Sequence, residues 1–351
     1  MRTAERLVAT CGTAIAVMTT LGTGTALASH QPTPQTETAW QQEMAQLPVP
    51  ASGCYGASFP LVQWRPVPCA TAPQRPMEPV SAPQPASSAP APVGDGNDYS
   101  ANVSGVISQA TGTFPYVSPN IAEEGRIGGV GPLLPNTFTL QLNTQFFSGP
   151  PVCAGSSDPS KCQGWQQFVY ETDVNMIFMQ YWLLDYGASC PSGWFSALST
   201  DCYRNSPAGV YAGGPLTASG LATISLVGST VLGGNDSVSI TSKSGQSTLV
   251  SNSDSVLQLA KSWNTTEFGI FGDGGGSEAY FGAGTTLAVA TSLQSTSPSA
   301  PTCVKEGFTA ETNNLGLAHT PAISAQASPT VVSLQQNGKA TTPNCSVAPL
   351  S

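Results

Sequence analysis

Short runs of β-branched and aromatic residues, separated by Gly, Asn, Asp and Ser, fill the middle of the chain. This pattern predicts an all-β protein, because such runs favour strands and the separating residues favour turns. Regular short strands of this kind are typical of an antiparallel two-sheet β-sandwich. The predicted strands are 103–109, 137–147, the two arms of a hairpin within 164–187, 222–231, 236–242, 247–251, 268–271 and 287–291.

The hairpin of residues 164–187 has the strongest pattern, and Asp173, Val174 and Asn175 supply its turn. If the arms pair symmetrically about Val174, Gln166 lies opposite Trp182, Phe168 opposite Gln180, and Tyr170 opposite Phe178. The other face is more apolar and is expected to pack on a core. We therefore predict a binding surface on the even-numbered face, made of Gln166, Phe168, Tyr170, Phe178, Gln180 and Trp182.

One short helix is expected near residues 255–263. Ser255 and Gln258 have the spacing of a capping box, and Val256, Leu259 and Trp263 fall at helical spacing. We expect this helix to lie against the edge of a sheet.

The two ends of the chain differ from its middle. Residues 1–28 have the basic start, apolar centre and small-residue cleavage site of a secretory signal peptide. Residues 29–97 hold 14 prolines and are predicted to be a disordered linker or propeptide. Residues 98–296 are the predicted sandwich, and 297–351 an extended tail rich in Ser, Thr and Pro. We expect a secreted, extracellular protein without a membrane span in the mature chain.

Eight cysteines remain once the signal is removed, and an even number in a secreted chain indicates disulfides. Their order suggests four local pairs, Cys54 with Cys69, Cys153 with Cys162, Cys190 with Cys202, and Cys303 with Cys345. The chain has no CxxC motif and only two histidines, His30 and His319. We therefore expect neither a metal site nor a cofactor.

Charge is sparse and acidic. Charged residues are 9% of the chain and the formal net charge is −9, so nucleic acid is an improbable partner. The expected partners are an extracellular protein, a peptide or a polysaccharide. A surface with so few charges loses little when carboxylates are protonated, which suits an acidic setting.

Carboxylates are the best candidates for acid–base chemistry, because a serine triad needs a suitably placed histidine and a cysteine nucleophile needs a free thiol. The candidates near the predicted surface are Glu171, Asp185, Glu267, Asp273 and Glu278. Alternation along 267–273 sends Glu267 and Asp273 to one side. The Gly-rich residues 272–278 are predicted to form a hairpin loop, with a weak calcium site as the alternative.

Three segments, GWQQFVY…FMQYWLLDY, ATISLVGSTVLGGNDSVSIT and WNTTEFGIFGDGGGSEAYFGAGTTLAVATSL, carry a family resemblance. Residues 137–293 are similar to the secreted glutamic peptidases of the eqolisin group and, more loosely, to neprosin-type enzymes. The resemblance implies a concanavalin-like jelly roll with two sheets of about seven strands each. It also implies a signal, a propeptide, an acidic working pH and a Gln/Glu pair that activates water on a peptide bond.

The family's catalytic glutamine falls on Gln166, or on Gln167 if the register slips by one residue. The pattern of faces favours Gln166. An active-site glutamate of the family falls on Gln180. The family's catalytic glutamate ends an Ala-Glu-Trp/Phe-x-x-Glu strand. TEFGIF in this chain matches its first glutamate with Glu267 but has Phe271 where the catalytic glutamate belongs. Activity would then require a neighbouring carboxylate, Glu267, Asp273 or Glu278.

Two functions remain open. The first is an acid endopeptidase in which Gln166 and Gln180 act with Glu267 or Asp273. The alternative is a non-catalytic extracellular domain that binds carbohydrate or peptide on an aromatic platform of Phe168, Tyr170, Phe178 and Trp182.

Overall fold

The computed structural model describes residues 36–80, 92–93, 99–318, 330–336 and 345–348, and it describes side chains for 36–80 and 99–316. The predicted signal peptide, His30 and His319 lie outside these residues. Within the described part, no helix is long and apolar enough to cross a membrane.

In the part of the chain that the structure describes, one α-helix, α1 (Glu37–Met44), precedes 25 strands. The first strands are β1 (Gly53–Ser58), β2 (Arg65–Val67), β3 (Ala70–Thr71), β4 (Pro92–Val93), β5 (Tyr99–Asn102), β6 (Ile107–Val117), β7 (Glu123–Gly125) and β8 (Leu134–Pro135). Next are β9 (Thr139–Thr144), β10 (Phe147–Ser148), β11 (Gln163–Glu171), β12 (Met176–Leu184), β13 (Phe195–Ala197), β14 (Asp201–Asn205), β15 (Pro207–Val210), β16 (Ile224–Ser229) and β17 (Asn235–Ser242). The last are β18 (Gln246–Ser253), β19 (Thr265–Phe271), β20 (Glu278–Phe281), β21 (Thr286–Ser295), β22 (Thr302–Lys305), β23 (Thr312–Ala318), β24 (Thr330–Gln336) and β25 (Cys345–Ala348).

The strands form two sheets, which confirms the predicted antiparallel β-sandwich. The larger sheet has 14 strands, with β2-β1-β18-β17-β16-β6-β21-β24-β23-β20-β7-β8 as its main order. The smaller has 11, with β13-β14-β12-β11-β9-β19-β5-β22 as its main order. Neighbours are antiparallel except for the parallel pair of β20 and β23. The sheets are wider than the seven strands implied by the family resemblance, since strands from both flanking segments add to them.

The two sheets meet face to face over an apolar core, and glycines set their closest approach. A Cβ on Gly228 of β16 would lie 2.7 Å from the ring of Phe168 on β11. A Cβ on Gly112 of β6 would lie 2.3 Å from the ring of Phe268 on β19. Each ring therefore occupies the space that a side chain at the facing glycine position would need.

The hairpin is confirmed, but its predicted register is wrong by one residue. Gln166 pairs with Tyr181, Gln167 with Gln180 and Phe168 with Met179. The centre of the hairpin lies between residues 173 and 174 and not at Val174. The last pair before the turn is therefore Glu171 with Met176. A shift of one residue in pairing transfers one arm's side chains to the other face.

The predicted helix near Trp263 is wrong. Two short 3-10 turns, Asp254–Val256 and Leu259–Lys261, stand in its place. Gln258 between them takes a left-handed φ of 57°, which interrupts a helix. The carboxylate of Asp254 instead accepts a hydrogen bond from the backbone of Ala260 at 3.1 Å.

Three predicted disulfides are present, Cys54–Cys69, Cys153–Cys162 and Cys190–Cys202. The side chain of Cys345 lies outside the described residues, so the pairing of Cys303 with Cys345 stays a prediction.

The described part of the Pro-rich segment, residues 36–80, packs against the sandwich instead of extending from it. Strand β1 pairs with β18, and Trp40 and Met44 of α1 are buried. Composition averaged over the whole segment hid these few apolar anchors. Whether residues 29–97 act as a propeptide stays a proposal.

Candidate functional site

Polar side chains cover the face of the 11-stranded sheet that points away from the other sheet. We call this the polar face and define it as Gln141, Asn143, Gln167, Glu171, Gln180 and Glu267. Strand pairing aligns Gln180, Gln167, Asn143 and Glu267 across four strands in one row. Each of these side chains is at most 1% exposed. A buried row of amides and carboxylates is unusual in a sandwich, whose outer faces normally meet water.

Hydrogen bonds hold the side-chain amides of the polar face in fixed orientations. The indole of Trp182 donates to Oε1 of Gln167 at 3.1 Å, and Nε2 of Gln167 donates to Gln141 at 3.1 Å. Nδ2 of Asn143 donates to Oε2 of Glu267 at 3.0 Å. The row is therefore preorganised, with its donors and acceptors directed by neighbouring strands.

A segment of the chain itself, residues 72–79, lies across the polar face; we call it the strap. Gln180 holds its backbone in both directions, accepting from the amide of Met77 at 2.7 Å and donating to the carbonyl of Arg75 at 2.9 Å. Nδ2 of Asn205 donates to the carbonyl of Pro73 at 2.7 Å, and the amide of Gly275 donates to that of Pro76 at 2.9 Å. Side chains of the sheet thus grip the main chain of a peptide segment.

A second segment closes the polar face beyond the strap. The amide of Phe308 donates to Oε2 of Glu267 at 3.0 Å, and the carbonyl of Phe308 accepts from Val80 at 3.0 Å. Glu311 accepts from the amides of Glu78 at 2.7 Å and Gly276 at 3.1 Å. Burial raises the pKa of Glu311 to about 7. The strap is consequently anchored on both sides.

Three carboxyl groups meet where the hairpin turn approaches the loop after β19. One oxygen from each of Glu171, Asp173 and Asp273 lies within 4.8 Å of the others. The guanidinium of Arg75 on the strap contacts Glu171, lies 2.8 Å from Asp173 and lies 3.7 Å from Asp273. This acid cluster has the donor set of a metal site, but the Arg75 cation already lies among its oxygens.

Burial raises the pKa of both Glu171 and Asp273, and each group influences the other. Hydrogen bonding to Asp273 raises the pKa of Glu171 further, whereas the same contact lowers that of Asp273. The two carboxyl groups therefore titrate as one pair that keeps a proton to higher pH than a free carboxyl group does. Oε2 of Glu171 and both oxygens of Asp273 are buried without a hydrogen-bond donor; a proton bridging the two groups would satisfy one oxygen of each.

A further buried carboxyl group, Glu123, belongs to the same region. Burial raises its pKa to about 8; the backbone of Thr137 lowers this pKa, and the charges of Glu124 and Asp273 raise it. Removal from water penalises the charged form of a carboxyl group, so Glu123 stays protonated at neutral pH.

Gln166 does not lie on the polar face, contrary to prediction. It faces the core between the sheets, where Nε2 donates to Oδ2 of Asp236 at 3.0 Å. Burial raises the pKa of Asp236 to about 7. This glutamine and carboxylate do form a pair, but both are fully buried between the sheets. The one-residue register shift places Gln167 on the polar face in place of Gln166.

The predicted aromatic platform is also divided between two faces. Phe168 and Tyr170 belong to the inter-sheet core, whereas Phe178 and Trp182 lie on the polar face. All four are fully buried. Trp182 stacks on Tyr203 with ring centroids 5.4 Å apart. These rings do not form one exposed surface.

The structure brings six predicted residues to the outer side of the sheet, Glu171, Phe178, Gln180, Trp182, Glu267 and Asp273. Phe271 is buried there as well, in one row with Thr139 and Glu171. The other candidates lie elsewhere, Asp185 at the exposed end of β12 and Glu278 on β20. The carboxyl group in this row is therefore that of Glu171, which lies on the hairpin strand β11, two strands away from Phe271 on β19.

Sequence reasoning missed Arg75, Asn143 and Gln141. Arg75 carried one available signal, because it and Arg65 are the only basic residues in 29–97. A lone cation in such a segment suggests a specific acidic contact.

No family model matches the chain, and no curated protein matches it. Among solved structures, scytalido-glutamic peptidase with a transition state analog inhibitor is similar at 12% identity, with 70% of this chain and 100% of that chain covered and a TM-score of 0.31. SCP-B, a member of the eqolisin family in complex with the tripeptide Ala-Ile-His, is similar at 10% identity. The match covers 69% of this chain and 98% of that chain, with a TM-score of 0.29. The chain therefore has a remote structural similarity to glutamic peptidases of the eqolisin group.

Proposed function

We propose that this chain is a secreted, glutamic-peptidase-like hydrolase that cleaves peptide bonds at acidic pH on the polar face. The supporting observation is that Gln180 holds the backbone of the strap, whose Arg75 lies against Glu171 and Asp273, two neighbouring carboxyl groups with pKa values raised by burial. Hydrolysis of a peptide needs both features, a means of holding the main chain and an acid–base pair.

Glu171 and Asp273 take the chemical roles in this proposal. Ionised Asp273 accepts a proton from water, which attacks the carbonyl carbon while protonated Glu171 donates to the carbonyl oxygen. Asp273 then passes its proton to the amide nitrogen, the C–N bond breaks and the amine leaves, while Glu171 recovers a proton from a hydroxyl group of the intermediate, which becomes the carboxylic acid. Gln180 holds the substrate backbone, and Gln167 offers an amide next to it. Glu267 accepts hydrogen bonds from Asn143 and from the backbone of Phe308, and in this proposal it holds these neighbours in position and takes no part in proton transfer.

The strap must leave before a substrate can enter, which gives residues 29–97 the role of a propeptide. Burial is the largest cause of the raised pKa of both Glu171 and Asp273. Displacing the strap returns water to both groups, and we expect this to lower both pKa values more than the loss of Arg75 raises them. The singly protonated pair then exists at acidic pH.

The full chain, incubated with denatured casein between about pH 2 and pH 6, tests this proposal. We expect cleavage that Glu171→Gln reduces at least about a hundredfold, since general acid–base catalysis typically contributes this much. Glu124→Gln is the matched control because Glu124 is exposed on β7. Absence of cleavage over the whole range, also in a chain whose strap is loosened by Arg75→Gln and Met77→Ser, or full activity in Glu171→Gln, would refute the proposal.

A non-catalytic peptide-binding domain is the second candidate. Phe271 favours it, because this side chain stands where the resemblance places the catalytic glutamate and cannot accept a proton. Saturable peptide binding without cleavage in the same experiment would select this candidate.

A further inference from the structure

The strap places two side chains of different chemistry into two separate pockets of the polar face. Arg75 enters the acid cluster of Glu171, Asp173 and Asp273. Met77 is fully buried in an apolar cluster with Val169, Phe178 and Ala208. Residues two apart in an extended chain point to the same side, so both side chains can reach the sheet with Pro76 between them.

The backbone contacts of the strap do not depend on its sequence. Gln180 bonds the amide of Met77 and the carbonyl of Arg75, and Gly275 bonds the carbonyl of Pro76. A peptide of almost any sequence could make these bonds, because they use main-chain atoms only. Selectivity at this part of the groove must therefore come from the two pockets.

Each pocket excludes the wrong side chain on physical grounds. A neutral side chain in the position of Arg75 leaves the acid cluster, in which Glu171 and Asp273 are buried, without its cation, and removing the partner of a buried carboxyl group is costly. A polar side chain in the position of Met77 loses apolar burial against Val169 and Phe178 and gains no partner there. Both penalties act together on a poorly matched peptide.

We propose that the groove selects peptides with a basic residue followed, two positions later, by an apolar residue. The strap is the internal example of this class. The inference rests on the proposed function in taking the polar face as the peptide site. Its test measures binding and not hydrolysis, so the two can fail separately.

The test uses the full chain with Arg75→Gln and Met77→Ser, which loosens the strap while Gln180 and the acid cluster stay intact. The probe is a fluorescent peptide of residues 70–80, ATAPQRPMEPV. We expect saturable binding to the variant and binding at least about tenfold weaker to the wild-type chain, whose strap fills the groove. Peptides with Gln for Arg, or Ser for Met, should each bind the variant about tenfold more weakly than the parent.

Asp173→Asn, added to the loosened chain, separates the two pockets. This change should shrink the ratio between the Arg and Gln peptides and leave the ratio between the Met and Ser peptides unchanged. Equal binding of all three peptides, or a change of both ratios, would overturn the inference. Should the double variant not fold by circular dichroism, Arg75→Gln alone carries the same comparison.

The casein experiment distinguishes the two proposals. If the three peptides bind with different affinities but casein is not cleaved, this inference is supported and only the proposed hydrolase activity is refuted. Casein cleavage without discrimination overturns this inference and leaves the hydrolysis standing.

Discussion

At the residue scale, one position in the hairpin register decides which glutamine can meet a peptide. Gln166 and Gln167 are adjacent in sequence, yet one bonds Asp236 between the sheets and the other bonds Trp182 on the polar face. Alternation along a strand predicts that adjacent side chains point to opposite faces of the sheet. It does not predict which of the two faces meets the core here, because both faces of the hairpin carry aromatic residues and the register is therefore weakly specified. Contacts from the strap and from the opposite sheet supply the missing information.

Gly228 gives a residue-scale test of the sandwich. Gly228→Ala places a methyl group against the ring of Phe168, 2.7 Å from the new Cβ. We expect a loss of about 1–3 kcal/mol in the free energy of unfolding, because the overpacked ring cannot move within the core. Urea denaturation measures it. Gly282→Ala is the control, since its new Cβ would meet only the carbonyl of Ala122 at 3.9 Å; equal effects of the two changes would contradict this packing.

At the scale of elements, the strap is the feature that sequence reasoning could not place. Its composition, rich in Pro and poor in apolar residues, predicts disorder. In the structure the main-chain groups of the strap form hydrogen bonds with side chains of the sheet. Such contacts leave no periodic pattern in the sequence from which they could be predicted. The strands themselves were predictable because alternation and turn residues are local, whereas the grip of Gln180 on Arg75 and Met77 spans about a hundred residues.

Hydrogen exchange tests the grip on the strap. Gln180→Ala removes the acceptor for the amide of Met77 and the donor for the carbonyl of Arg75. We expect the Met77 amide to exchange slowly in the wild-type chain and at least about tenfold faster in the variant, since about 1.4 kcal/mol of local stability corresponds to that factor. Amides of β17, on the other sheet, serve as the internal reference. Unchanged exchange at Met77 would show that Gln180 does not hold the strap.

At the scale of the whole molecule, buried carboxyl groups with raised pKa values connect the fold to acidic conditions. Asp236, Glu311 and Glu123 have pKa values of about 7, 7 and 8 in the folded chain. A carboxyl group whose folded pKa exceeds its unfolded value favours the folded state below the unfolded pKa, and this contribution is lost as pH rises to the folded pKa. The molecule should therefore be more stable near pH 4 than near pH 8.

Asp236→Asn tests this dependence. Each such group contributes a slope of about 1.4 kcal/mol per pH unit between its unfolded and folded pKa values. For Asp236 that window runs from 3.8 to about 7. Thermal melts across it should show stability falling with pH in the wild-type chain and falling less steeply in Asp236→Asn. Glu37→Gln, at an exposed position of α1, should follow the wild type, and a wild-type stability that rises with pH would contradict this dependence.

The most direct test of the central claim compares initial rates of casein cleavage near pH 4 for three full-length chains. These are the wild type, the loosened Arg75→Gln, Met77→Ser variant, and that variant with Glu171→Gln added. If the polar face under the strap is the working surface, the loosened chain cleaves fastest and Glu171→Gln abolishes the gain. Equal rates for all three chains, or a loosened chain slower than wild type while still folded, would contradict the account.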